Sequence, residues 1–299
     1  MLNEEKLGRK IALGTAQFGF NYGISNISGK VHETKVLEIL NKAFKEGIDT
    51  IDTAILYGDS EAVLGKNGVT KFNVVTKLPP MPQHKIDIKA WVDENVYNSI
   101  NKLNVQKLYG LILHQSNDFI GEGGGELYRV LCNLKQDRII NKIGVSIYNP
   151  KELDDLENSD IKIDIVQAPF NIFDRRLELS GWLLKLKGLG IEIHTRSVFL
   201  QGLLLLDKNM RDQYFEKWTN CFDNFDKWIT KTNQTSLEAC LNFVYSYNEI
   251  DKIIVGIDTL EQLEEIMSSI NNHYKAPISN HLQVNDTKLI EPSNWILSQ

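Results

Sequence analysis

Four side chains of complementary chemistry stand at or just past the ends of three short apolar runs. Asp52 lies within the run Thr50–Ala54 and Tyr57 just beyond it, Lys77 sits inside Phe72–Leu78, and His114 closes Leu108–His114. A free phenol titrates near ~10 and is a poor proton donor at neutral pH, but an adjacent ammonium stabilises its phenolate and lowers that value. A carboxylate beside the ammonium keeps it charged and in place. An imidazole nearby can hydrogen-bond a carbonyl oxygen and orient it. Such a set could protonate a carbonyl oxygen while hydride arrives at the carbon, with Tyr57 as acid, Lys77 tuning it, Asp52 holding Lys77 and His114 orienting the substrate. Taken singly, each has a plainer reading: Asp52 as a helix cap, Tyr57 as a rim aromatic, His114 as a core histidine. Lys77 resists one, because an unpaired ammonium in an apolar strand is costly.

These residues meet only if the strands that carry them are neighbours. Short β-branched runs recur along the chain at Ile11–Ala16, Thr50–Ala54, Phe72–Leu78, Leu108–His114, Lys142–Ile147, Ile163–Ala168, Ile191–Thr195 and Lys252–Ile257. Several are apolar throughout, as buried parallel strands are. Between them, helical periodicity marks Glu33 to Glu46, Ile88 to Leu103, Leu127 to Ile139, Leu177 to Leu186, Leu237 to Tyr247 and Leu260 to Ile270. Asn149-Pro150 reads as a helix start, and Gly47 and Gly190 as helix stops. Eight strands alternating with helices in 299 residues is the stoichiometry of a single-domain (β/α)8 TIM barrel with its active site at the C-terminal rim. A doubly wound sheet is the runner-up, disfavoured because no GxGxxG comes after the first strand and no change of composition divides the chain. The segment 198–235 reads as a long loop at that rim, and 274–299 as an irregular tail that either crosses the mouth or packs on the wall.

Composition narrows the function. Apolar residues at 42% and charged residues at 24% describe a soluble, well-packed globule. The net charge of −6 disfavours holding a polyanion such as nucleic acid, and no apolar run approaches the roughly 20 residues of a membrane span. Cys132, Cys221 and Cys240 have neither a disulfide-framework nor a zinc spacing. The N-terminus lacks the pattern of a secretory leader, and the expectation is a cytoplasmic protein acting on a small molecule, with no nucleic-acid or membrane partner. Gly121 and Gly123 to Gly125 lack the ending of a phosphate loop and read as a flexible loop at the pocket rim. The aromatic residues from Trp218 to Trp228 read as ordinary packing, and His194 as structural.

Across nearly its whole length the chain resembles an aldo-keto reductase. Leu13-Gly14-Thr15-Ala16-Gln17-Phe18-Gly19 is similar to the family's first strand, and Gly47 to Ala54 with Tyr57-Gly58 and Ser60-Glu61 matches the signature around its catalytic Asp and Tyr. Val75-Thr76-Lys77 and Leu113-His114 resemble the segments carrying its lysine and histidine. Gly144-Val145-Ser146, Val166-Gln167 and Asn171 resemble segments that hold a nicotinamide, and Val255 to Glu265 the loop and helix start that grip its adenosine end. The resemblance implies reversible, NAD(P)H-dependent reduction of an aldehyde or ketone. It assigns cofactor contacts to Thr15, Asp52, Ser146, Gln167, Arg196, Ser197, Gly202, Gly256, Ile257, Asp258, Gln262 and Glu265. It implies no metal.

Some positions depart from the family pattern. Arg196 stands where a tyrosine or tryptophan often stacks on the nicotinamide, and a guanidinium there would be repelled by the oxidised ring. Asp258 occupies a place that relatives fill with serine, lysine or arginine near the 2′-phosphate, so NADPH is the expected cofactor with NADH open. Ile147 and Ile266 replace frequent asparagines. Two other readings remain: a cofactor-sensing regulatory subunit with little turnover, and a barrel lyase or hydrolase using His114, Lys77 and Asp52 without a nicotinamide.

Overall fold

A computed structural model describes residues 7–26, 28–83, 86–271 and 280–297. Eight strands, β1 (Ile11–Gly14), β2 (Thr50–Asp52), β3 (Asn73–Leu78), β4 (Leu108–Leu113), β5 (Ile140–Ser146), β6 (Ile165–Pro169), β7 (Glu192–Arg196) and β8 (Lys252–Gly256), pair in sequence order. Every pair is parallel, and β1 bonds to β8 as well as to β2, so the sheet closes into a (β/α)8 barrel. Closure removes the doubly wound alternative.

The strands form where β-branched and aliphatic residues run together, and helices come after them because their apolar stripes need the outer face of the sheet. Helix Glu33–Lys45 buries Val36, Ile39, Leu40 and Ala43. Helix Ile88–Leu103 starts at Asp87, whose carboxylate accepts from the Ala90 amide at 2.9 Å, and ends at a left-handed Asn104. Inside the barrel, Val75, Ile112 and Ile165 form a separate apolar plug. Above that plug the inward positions become polar, which turns a packed core into a site.

Two segments differ from expectation. Residues 198–235 are not a loop: three 3-10 turns lead into a helix, Thr219–Thr232, that buries Phe222 and Phe225 and ends at a left-handed Asn233. Of the tail, 274–279 and 298–299 lie outside the described residues. Its remainder packs on this helical segment and on the stretch after β6, where the Val284 amide donates to the Phe173 carbonyl at 2.9 Å. Trp218 Nε1 donates to Asp286 at 3.0 Å, and the Phe215 and Trp295 rings meet at 4.9 Å. The glycines after β4 also find another use. The helix Gly124–Gln136 begins among them, and a Cβ on Gly124 would lie 2.0 Å from the Phe119 carbonyl oxygen, so glycine lets the short helix Asn117–Ile120 pack against it. Trp91, Trp182, Trp218, Trp228 and Trp295 all belong to this outer layer of helices and tail. No helix among the described residues is long and apolar enough to cross a membrane.

Candidate active site

Asp52 is the last residue of β2, Lys77 the fifth of β3, and His114 the first after β4, so register brings all three to one rim. Lys77 is 1% exposed and two of its three N–H donors are engaged: Nζ donates to Asp52 Oδ2 at 2.6 Å and to the Thr53 carbonyl at 2.9 Å. Gln167 on β6 donates to the other Asp52 oxygen at 2.6 Å, a bond that crosses the barrel interior because β2 and β6 are not neighbours. Tyr57 lies in the turn beyond β2, with its ring centroid 4.9 Å from Lys77 Nζ and 6.2 Å from the His114 ring. That turn is fixed beneath by Ser60, whose hydroxyl donates to the Thr15 carbonyl at 2.9 Å.

The electrostatics differ from the expectation in one respect. Burial pushes the Tyr57 phenol above its ordinary value, and the Asp52 carboxylate adds to the rise while Arg196 opposes it. The lysine therefore does not make this phenol acidic in the protein alone; the hydroxyl keeps its proton at neutral pH, the form in which it can donate one. Burial likewise lowers Lys77, against the pull of Asp52. His114 is held at about 4 by burial and by the Lys77 and Arg196 cations, so its imidazole is neutral. Its Nδ1 is sealed without a partner among the described residues, which leaves Nε2 as the ring nitrogen open to the site. An ordinary imidazole titrates near ~6.5. With the folded value depressed, protonation of His114 is displaced to acid, and kcat/KM in the direction of carbonyl reduction should show no inflection near neutrality. A neutral inflection that vanished in His114→Gln would contradict the assignment.

A cleft of about 490 Å³ opens beside this cluster. It runs from Tyr57 and Asp52 past Gln167, along Arg196 to Gly202 after β7, and on to Gly256 at the end of β8 and Asp258, Gln262 and Glu265 beyond it. The wall after β7 is strained: Ser197, Leu200 and Gln201 have φ of 61°, 46° and 53°, left-handed values that side chains with a Cβ adopt at a cost. The segment after β1 crosses above. The Ile24 amide donates to the Gln201 carbonyl at 3.0 Å, and Asn26 Nδ2 donates to Asp258 Oδ1 at 3.2 Å.

Comparison with known proteins agrees with this architecture. The chain is 26% identical over 286 residues to the uncharacterized oxidoreductase YqkF of Bacillus subtilis, covering 88% of this chain and 91% of that one. It is 26% identical over 220 residues to the glyoxal reductase of the same organism, covering 70% and 72%. Among solved structures, the aldo-keto reductase AKR11C1 of Bacillus halodurans superposes with a TM-score of 0.68 at 20% identity, covering 91% of this chain and 94% of that one. The glycerol dehydrogenase AKR11B4 of Gluconobacter oxydans gives 0.64 at 22%, with 91% and 94% covered. The sequence model of the Aldo/keto reductase family matches residues 10–280. The chain belongs to the aldo/keto reductase family.

As an aldo/keto reductase it is an oxidoreductase of a family that acts on small carbonyl compounds with nicotinamide cofactors. Of the twelve residues that the resemblance associates with the cofactor, Thr15, Asp52, Gln167, Arg196, Ser197, Gly202, Gly256, Asp258, Gln262 and Glu265 border the cleft. Ser146, 3% exposed, and Ile257, fully buried, do not. Ser146 pairs in register with Gln167, and Ile257 is drawn into the apolar core. Glycine shapes the cradle of this aldo/keto reductase. A Cβ on Gly202 would lie 1.8 Å from Ser25 Oγ, and one on Gly256 2.1 Å from Gln17 Nε2. At both positions the missing Cβ lets another lining side chain, Ser25 or Gln17, pack directly on the backbone. Sequence reasoning missed Tyr22, Asn26 and Gln201 along the cleft, and Tyr148 beside Arg196. Their contacts join segments far apart in the chain, and nothing local announces them.

Proposed function

We propose that this chain reduces an aldehyde or ketone to the alcohol, reversibly, with Tyr57 as the proton donor. The observation that carries the proposal is the Lys77 ammonium, buried between Asp52 and the Thr53 carbonyl and 4.9 Å from the Tyr57 ring, at one end of a dinucleotide-sized cleft. A reduced nicotinamide bound there supplies hydride to the carbonyl carbon. The chain does the rest. Neutral His114, protonated on Nε2, donates a hydrogen bond that orients the carbonyl oxygen. As negative charge grows on that oxygen, the Lys77 and Arg196 cations favour it, and Tyr57 passes its proton across. The C=O π bond is replaced by a C–H and an O–H bond, and Tyr57 recovers its proton from solvent. Positioned acid help of this kind is typically worth ~10²–10⁴ in rate. The test is a titration with NADH and NADPH by calorimetry, and then their oxidation with a panel of aldehydes and ketones. Binding with turnover is expected, and absence of both with every carbonyl would end the proposal.

Thr15, Gln167, Ser197, Gly202, Gly256 and Gln262 are the residues we assign to holding the dinucleotide, with Ser146 and Ile257 behind them. At the end of the cleft remote from Tyr57, the lining offers the carboxylates of Asp258 and Glu265 and no cation among the described residues. Burial raises the Asp258 carboxyl, and the Gln262 side chain opposes the rise; the Asp258 amide donates to Gln262 Oε1 at 2.7 Å. A 2′-phosphate would meet like charge there, whereas a 2′-hydroxyl could donate to it. The proposed cofactor is thus a nicotinamide dinucleotide with NADH favoured over NADPH. Asp258→Ser should improve NADPH binding relative to NADH by about tenfold, ~1.4 kcal/mol. The ratio of the two dissociation constants, measured in both proteins, checks this; an unchanged ratio would place the discrimination elsewhere.

A further inference from the structure

Arg196 differs from the other arginines of the barrel's upper half. Arg175, Arg176 and Arg211 each lie against a carboxylate, whereas Arg196 makes no ion pair among the described residues. It borders the cleft at the Tyr57 end. Its guanidinium lies 4.5 Å over the Tyr148 ring and donates to the Ile147 carbonyl at 3.0 Å, with a longer contact of 3.4 Å to Ser197 Oγ. A guanidinium has five N–H donors in a planar fork, so these contacts fix its position and leave most of the fork uncommitted. Its field reaches every reacting group: it acts on Tyr57, Lys77 and His114 as well as on Tyr22. The nearest catalytic carboxylate, Asp52, is already committed to Lys77 and Gln167.

A charged group kept partly dry without a counter-ion is costly, and its retention in a cleft calls for a ligand that completes it. Planar, bidentate recognition of carboxylate and phosphate is what a positioned arginine does best. From this geometry we infer that Arg196 binds an anionic oxygen group on the substrate, so that the preferred substrates are carbonyl compounds carrying a carboxylate or phosphate. The inference rests on the carbonyl-reductase reading and names its substrate class. The far end of the cleft, with Asp258 and Glu265, has the opposite charge, so an anionic substrate is drawn to the Tyr57 end and turned away from the other.

The test compares paired substrates that differ in the anionic group: 4-oxobutanoate against butanal, and glyceraldehyde 3-phosphate against glyceraldehyde, each with saturating NADH. The anionic member of at least one pair should have the higher kcat/KM, by roughly 10–100-fold, and which pair responds separates carboxylate from phosphate. In Arg196→Gln that ratio should collapse toward one, whatever happens to the rate itself, and Arg196→Lys should restore part of it. Neutral members turned over as well as their anionic partners, or a ratio untouched by Arg196→Gln, would overturn the inference while leaving the reductase reading intact. Absence of turnover with all four would instead strike the reductase reading. Binding of succinate by calorimetry then still decides the anion site: it should be detectable in the parent protein and at least about tenfold weaker in Arg196→Gln, and equal affinity in the two would refute it.

Discussion

Tyr57→Phe is expected to lower kcat by about 10²–10⁴ while changing the dinucleotide dissociation constant less than about twofold. The substitution removes one oxygen and little else. The ring of Tyr57 packs edge-on against Phe20 at 6.1 Å and His114 at 6.2 Å, contacts that phenylalanine reproduces. The cleft beyond Gln167 is untouched. Steady-state kinetics with the best carbonyl from a panel, paired with calorimetric titration of NADH, measure the two quantities independently. A variant that kept half of its turnover would show that the proton comes from elsewhere, with His114 the next donor to examine. A loss of dinucleotide binding equal to the loss of rate would mean that Tyr57 holds the cofactor rather than the proton.

Lys77→Met should abolish measurable turnover and also weaken the fold. The ammonium is buried against Asp52, and removing one member of such a pair leaves an uncompensated carboxylate in the barrel, at a cost of about 3–5 kcal/mol. For a chain of this size that corresponds to a fall in Tm of roughly 10 °C. Combining Lys77→Met with Asp52→Asn removes the stranded charge and should recover most of the lost Tm without recovering activity. That split separates the two roles of the pair. If the double variant were no more stable than the single one, the damage would come from lost packing of the lysine stem. If it regained turnover, Lys77 would be structural only.

The barrel and the rim cluster that we propose as catalytic were readable because each strand announces itself locally. Ile51, Val74, Val75, Ile112 and Leu113 are β-branched or aliphatic neighbours in short runs, and Asp52, Lys77 and His114 interrupt or end those runs with groups that an apolar strand does not otherwise tolerate. Parallel pairing then does the assembling, since it places the ends of consecutive strands at one rim. The helix Thr219–Thr232 was also written in the sequence: Phe222, Phe225 and Ile229 recur at helical spacing before Asn233. It is hidden by the polar residues between them and by the absence of a capping side chain at Trp218. The crossing of the cleft by Tyr22 to Asn26 left no such trace. The Asn26 to Asp258 bond joins residues 232 positions apart, and its register is set by barrel closure alone. Ionisation is the least legible property. Proximity of lysine to Tyr57 suggests an acidic phenol, but burial, which depends on every surrounding element, reverses the sign.

The outward placement of all five tryptophans has a consequence for how ligands are seen. None of these indoles borders the cleft, so bound dinucleotide cannot quench them by touching them. A reduced nicotinamide bound in the cleft would absorb where indole emits and would dim them by resonance transfer across the barrel wall, while the oxidised form lacks that absorption and would pass almost unseen. An optical titration of this protein therefore reports the redox state of its ligand along with occupancy, and affinities for the oxidised form call for a calorimeter.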